Sequence, residues 1–206
     1  MLTCFRYALA ALRDFSEAIR IEPSPSGYAN RAFLHYDMQN YENAVADFTE
    51  AIRLDSSDTV AYNGRAAALR ALQRNADALA DLSRALELDP KSASAHHERG
   101  ALYQELERHR EALADLSRAI ELDPENPVSF YVRALSHRAI GDTTAALADL
   151  NETVRLDADS VPGLFERAVL LADTDPHQAT QDLQAAVRLD PSVATNTRIP
   201  ANIPLR

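Results

Sequence analysis

Glu50-Ala-Ile-Arg-Leu-Asp55, Arg84-Ala-Leu-Glu-Leu-Asp-Pro90, Arg118-Ala-Ile-Glu-Leu-Asp-Pro124 and Glu152-Thr-Val-Arg-Leu-Asp157 are one phrase written four times, each copy beginning 34 residues after the last. A fifth copy, Ala185-Ala-Val-Arg-Leu-Asp-Pro191, follows after 33 residues, and an earlier one, Glu17-Ala-Ile-Arg-Ile-Glu-Pro23, stands 33 before the first. Repetition at a period of about 20–50 residues marks an array whose units cannot bury their apolar faces alone and must stack on their neighbours.

Within the unit 93–126, Ala95, Arg99, Leu102, Tyr103 and Leu106 recur at steps of three and four, which is one face of a helix. The polar run Glu107-Arg-His-Arg110 interrupts that face, and a second follows as Ala112, Leu113, Leu116, Ala119, Ile120 and Leu122. Asp123-Pro124 stops it, because proline cannot extend the hydrogen-bond ladder and biases the residue before it out of helix. Each unit therefore reads as two helices of about 13 residues joined by a tight turn. Small residues stand where the two helices must approach: Ala66, Ala78 and Ala85 in one unit, Gly100, Ala112 and Ala119 in the next.

Composition agrees. Of 206 residues, 46% are hydrophobic and 25% charged, with 5 Gly and 10 Pro, which is globular and strongly helix-favouring. The 21 basic and 31 acidic residues give a net charge of −10, which argues against nucleic acid or an anionic membrane as partner, since phosphate neutralisation needs clustered cations. Lys91 is the only lysine, so the cations are almost all arginine, suited to bidentate ion pairs. Cys4 is the only cysteine, which excludes an intramolecular disulfide and a four-thiolate metal site. No stretch approaches the roughly 20 apolar residues of a membrane span. The start, Met1 to Asp14, is broken by Arg6 and Arg13 and reads as a short helix rather than a secretion signal, so the expected compartment is the cytoplasm.

The pattern resembles the tetratricopeptide repeat. Its small residue at the eighth position reads Ala32, Ala66, Gly100, Ala134 and Ala168, its alanine at the twentieth reads Ala44, Ala78, Ala112, Ala146 and Ala179, and its bulky residue at the twenty-fourth reads Phe48, Leu82, Leu116, Leu150 and Leu183. Full units fit at 25–58, 59–92, 93–126, 127–160 and 161–193; residues 1–24 match only a second helix, through Ala11, Phe15, Ala18 and Pro23, and 194–206 remain as an extended tail. Ser56 and Ala158 replace the proline and Thr153 replaces an alanine. The resemblance implies an all-α fold, a right-handed α-solenoid of stacked antiparallel hairpins, and a non-catalytic protein–protein interaction scaffold.

Arginine occupies the seventh position of every full unit (Arg31, Arg65, Arg99, Arg133, Arg167), where the family usually has leucine. Aspartate occupies the twenty-third in all second helices (Asp14, Asp47, Asp81, Asp115, Asp149, Asp182). Such fixed phase suggests a repeated fork-to-carboxylate pair. Arg31 could take Asp47 of its own unit or Asp14 of the one before, and the sequence leaves both open.

Nothing in the chain carries catalysis. The histidines lack metal-ligand spacing, His35 and His137 fall at an inward position that suits a satisfied core histidine, and adjacent residues of His96-His97-Glu98 diverge by about 100° on a helix. No glycine-rich phosphate loop or Gly-x-Ser-x-Gly elbow is present. Neither cofactor nor metal is expected.

By resemblance, the first helices line a concave groove. Mapped onto this chain, it offers Phe33, Tyr36, Asn63, Arg70, His97, Gln104, Tyr131, Leu135, Arg138, Phe165 and Val169. Aromatics beside arginine and amides suit a peptide or protein ligand with apolar anchors, plus an acidic group for Arg70 or Arg138. The Lys/Asn clamp of heat-shock co-chaperones is missing, since Ala29/Phe33, Asn63/Ala67 and His97/Ala101 stand there. The asparagine row of sugar-transferring relatives is missing too, with Asn30, Gly64, Glu98, Val132 and Glu166 in its place. Both ends of the array are expected to expose apolar surface, Leu183, Ala186 and Val187 at the far one, which makes self-association through end faces the alternative role. A tail lying in a groove through Ile199, Ile203 and Leu205 is a further expectation.

Overall fold

The computed structural model describes residues 2–201 and Ile203, so the expectation for Leu205 falls outside the described residues. Among them are eleven α-helices, one short 3-10 helix and no strand. The chain divides into two compact units, Met1–Leu102 and Tyr103–Arg206. The first holds α1 (Leu2–Ile21), α2 (Pro25–Asp37), α3 (Tyr41–Leu54), α4 (Thr59–Ala71), α5 (Asn75–Leu88) and most of α6 (Ala93–Glu105). The second holds α7 (His109–Leu122), α8 (Pro127–Ala139), α9 (Thr143–Leu156), α10 (Val161–Leu171), α11 (Pro176–Leu189) and the 3-10 helix Pro191–Thr195.

The phrase that repeats is where second helices stop. Asp55, Asp89, Asp157 and Asp190 leave helical geometry for extended backbone just past α3, α5, α9 and α11. First helices restart on a polar cap: Asp58 accepts the amides of Val60 and Ala61 at 2.9 and 3.0 Å, and Asn126 accepts those of Val128 and Ser129. Such a cap contributes about 1 kcal/mol by satisfying an orphan donor. The turns inside the hairpins need a left-handed residue. Gly141 supplies one at φ 83°, but Gln39, Gln73 and Glu107 adopt it at φ 61°, 59° and 58° despite their side chains.

Alanines bring the helices of each hairpin together: Ala32 with Ala44 in α2–α3, Ala66 with Ala78 in α4–α5, Ala134 with Ala146 in α8–α9 and Ala168 with Ala179 in α10–α11 are all buried. Two departures from the repeat pattern are matched by glycines. A Cβ on Gly64 would stand 2.3 Å from the ring of Phe48, at a site that the four later second helices fill with leucine. A Cβ on Gly163 would stand 2.8 Å from the methyl of Thr153, which replaces an alanine. Bulk added on one helix is removed from the next.

The far end corrects one expectation. Leu183 and Ala186 are buried and Val187 is half-buried, because Val193, Ile199 and Ile203 pack over α10 and α11. The described part of the tail turns back on the array rather than running on as extended chain. It forms the 3-10 helix and then turns closed by Ile199 N–H to Asn196 O (3.2 Å) and Ile203 N–H to Pro200 O (3.1 Å). Ile203, 5% exposed, joins Phe165, Ala168, Ala172, Ala179 and Leu183, with Val193 and Ile199 packed alongside. Burying Ile199 and Ile203 there removes apolar area from water. At the near end α1 leaves Tyr7, Leu9 and Ile21 exposed.

Candidate partner-binding face

In four hairpins the ion-pair ladder runs within the hairpin. Arg31 meets Asp47, Arg65 meets Asp81, Arg133 meets Asp149 and Arg167 meets Asp182, each through Nε and Nη2 at 2.7–2.9 Å. The aspartates are buried and the arginines half-buried, so these are charge-assisted, geometrically fixed pairs. The third nitrogen points backward. Nη1 of Arg31, Arg65, Arg99, Arg133 and Arg167 reaches Ser16, Thr49, Ser83, Ser117 and Asn151 of the preceding second helix at 3.0–3.2 Å. Arg31, Arg65, Arg133 and Arg167 therefore each tie their own aspartate to the preceding second helix. That resolves the open pairing, and the row of hydroxyl or amide side chains 15 or 16 residues before each arginine was the unread signal. Arg31, Arg65 and Arg133 also lie 5.7–5.8 Å from the rings of Tyr28, Tyr62 and Phe130.

The eleven groove positions fall on first helices and are brought together in two sets. In the first unit, Tyr36, Asn63, Arg70 and His97 are half-buried on α2, α4 and α6, and Phe33 is 40% exposed with its ring edge-to-face against Phe48 at 4.9 Å. Tyr36 packs on Tyr41 at 5.4 Å, so it is partly committed to its own hairpin. Asn63 Oδ1 is buried and has no hydrogen-bond partner among the described residues. In the second unit, Gln104, Tyr131, Leu135, Arg138 and Val169 are half-buried, whereas Phe165 is buried beneath the tail. Burial pushes the Tyr131 phenol up and the His97 imidazole down, opposed at His97 by the neighbouring Glu98 carboxylate.

The acidic group anticipated for Arg70 and Arg138 is supplied from inside the chain. Arg70 pairs with Glu98 at 3.1 Å and Arg138 with Glu166, in both cases 28 residues on and one hairpin later. The two glutamates differ in exposure: the Glu98 side chain is 41% exposed and that of Glu166 6%. The difference is the tail, since Arg198 places Nη1 and Nη2 on the two Glu166 oxygens at 2.8 and 2.9 Å and its guanidinium 5.5 Å from the centre of the Phe165 ring.

His35 and His137 are half-buried as expected, but they are not fully satisfied. Their Nδ1 atoms are buried without a hydrogen bond among the described residues, and Nε2 stands 3.9 Å from Asp47 and 4.0 Å from Asp149 respectively. The described residues contain no group of three or more His, Cys, Asp or Glu that could hold a metal ion. No described helix is long and apolar enough to cross a membrane.

Paired helices built on one spacing define a repeat array of the helix-hairpin class. A family profile described as TPR repeat matches residues 66–107, and two described as tetratricopeptide repeat match 93–126 and 25–58. Residues 25–58 and 66–126 thus match tetratricopeptide-repeat models. Solved structures share the fold. YrrB, described as a TPR protein with an unusual peptide-binding site, aligns with 23% identity and a TM-score of 0.69 over 87% of this chain and 95% of its own. MamA (residues 41 to the end) from Desulfovibrio magneticus RS-1 aligns with 18% identity and a TM-score of 0.72 over 82% and 96%. PilF of Pseudomonas aeruginosa aligns with 19% identity and a TM-score of 0.72 over 86% and 88%.

Proposed function

We propose that this chain is a non-catalytic scaffold that binds a peptide segment or partner protein on its first-helix faces. Phe33, Tyr36, Asn63, Arg70 and His97 would make contact in the first unit, and Gln104, Tyr131, Leu135, Arg138, Phe165 and Val169 in the second. One observation supports this reading most: a non-helical segment, the chain's own tail, already lies against Phe165 and Glu166 of first helix α10. A face that seats one such segment by an ion pair, a cation–π contact and aliphatic burial has the chemistry to seat another. The peptide-binding site described for YrrB agrees in kind, although its likeness to this chain carries the fold alone. The test is to select random displayed peptides on the wild-type chain and on Phe33→Asp and Tyr131→Asp variants shown to be folded by circular dichroism. Peptides that bind the wild type and lose at least tenfold on one variant support the reading. Peptides that bind all three chains equally refute it.

Assembly through an end face is a second reading, and only the near end favours it, where Tyr7, Leu9 and Ile21 are exposed on α1. Sedimentation of the wild type against Tyr7→Glu/Ile21→Glu would decide it. A multimer that the variant dissolves supports assembly, and a wild-type monomer rejects it.

A further inference from the structure

The tail makes a more specific statement about what the α10 face accepts. Glu166 is a buried carboxylate on that helix, and Arg138 of the preceding hairpin already engages it. A carboxylate has room for two guanidinium forks, since its two oxygens offer about four lone-pair directions. Arg198 takes the remaining share as a bidentate contact at 2.8 and 2.9 Å, with its guanidinium near the face of Phe165. One residue on, Ile199 packs on the apolar cluster, and five residues on, Ile203 is buried in it. The whole contact is made by non-helical chain, beyond the last helix hairpin.

Resting on the scaffold reading, we propose that Phe165, Glu166 and the cluster around Leu183 form a docking site for a non-helical partner segment that carries an arginine followed by aliphatic residues one and five positions later. Arg198, Ile199 and Ile203 occupy the site in cis, so the tail and the partner compete for it. The acidic balance of the chain, −10, favours a basic segment over an acidic one. Arg138 remains on Glu166 when the tail departs, so the carboxylate is not stranded and the exchange is balanced charge for charge. A tether of this length holds its segment at an effective concentration on the order of 1 mM. If the segment's own dissociation constant is on the order of 0.1 mM, the cis tail weakens binding in trans about tenfold.

The test uses a fluorescein-labelled peptide copying residues 194–203, followed by anisotropy on the full-length chain. Three proteins are compared: wild type, Arg198→Ala/Ile203→Ala, in which the tail is released, and the same variant with Glu166→Gln. The expected result is binding about tenfold tighter to the released chain than to wild type, and a loss of at least tenfold either with Glu166→Gln or with an Arg198→Ala version of the peptide. Circular dichroism confirms folding, and full-length Arg198→Lys, which keeps Ile203 but loses the fork, should give an intermediate gain. If the released chain is folded and less stable but binds the peptide no better than wild type, the tail is only a cap and the proposal is overturned. Equal binding of the two peptides overturns it as well. The two readings fail separately. Library peptides that respond to Phe33→Asp while the tail peptide binds nowhere would sink this inference alone, whereas no library peptide on any chain would sink the scaffold reading itself.

Discussion

Arg31 holds Asp47 through two parallel hydrogen bonds, Nε to Oδ2 and Nη2 to Oδ1, each 2.7 Å long, while its Nη1 reaches Ser16 of the preceding helix at 3.0 Å. The aspartate is buried and the arginine half-buried, so removing either leaves a charge without its partner in a poorly solvated place. Breaking such a pair costs about 3–5 kcal/mol, far more than the net contribution of the pair against an apolar replacement. The ladder therefore acts mainly by fixing how successive hairpins seat.

Asp47→Ala is accordingly expected to destabilise the chain by about 3 kcal/mol, while Asp14→Ala, at the equivalent place on α1, should cost under about 0.5 kcal/mol. Asp14 is exposed and has no ion pair among the described residues. Urea denaturation of both variants checks the pairing scheme. Equal losses would mean that the arginine leans on the earlier aspartate as well.

Gln73 sits at φ 59° in the turn between α4 and α5, a conformation that costs a side-chain-bearing residue roughly 1 kcal/mol. Gln73→Gly should therefore stabilise the chain by about 0.5–1 kcal/mol, after allowing for the freedom glycine gains when unfolded. A thermal midpoint that falls instead would show that the glutamine side chain contributes to the turn.

Gly64→Ala should destabilise by about 1–3 kcal/mol, because its new Cβ would meet the Phe48 ring at 2.3 Å. Phe48→Leu alone should also destabilise, yet in the double variant the glycine substitution should cost much less. A double-mutant cycle with coupling near zero would contradict this contact.

Burial drives the His35 and His97 imidazoles below their ordinary value of 6.5, with nearby Arg31 and Arg70 acting in the same direction and Asp47 and Glu98 against it. A depressed histidine favours the folded state in its neutral form. Its contribution is complete above pH 6.5 and is lost as pH falls through the lower folded value. The denaturant midpoint should drop between pH 7 and 5, and His35→Gln/His97→Gln should show a shallower drop. Parallel curves for variant and wild type would remove these histidines from the acid response.

Much of this molecule is legible in one chain. The 34-residue spacing, the alanines at each helix crossing and the Asp-Pro stops specify the hairpins, because each feature acts locally. The ladder is legible as a pattern but not as a pairing, since aspartates at the same phase stand on both sides of every arginine. Only the hydroxyl and amide partners of Nη1 break that symmetry. Arg70 and Arg138 read as free groove cations because their glutamates lie 28 residues away, beyond the reach of helical periodicity. In the tail, Pro200 and Pro204 argue against a capping helix, but nothing local indicates that Arg198 and Ile203 pack on α10.

The most direct test of the central claim is hydrogen–deuterium exchange of the full chain with and without a peptide selected on it. The scaffold account predicts new protection confined to first helices, α2, α4 and α6 or α8 and α10, with second helices unchanged. Protection on α3, α5, α9 or α1, with the first helices unaltered, would contradict it.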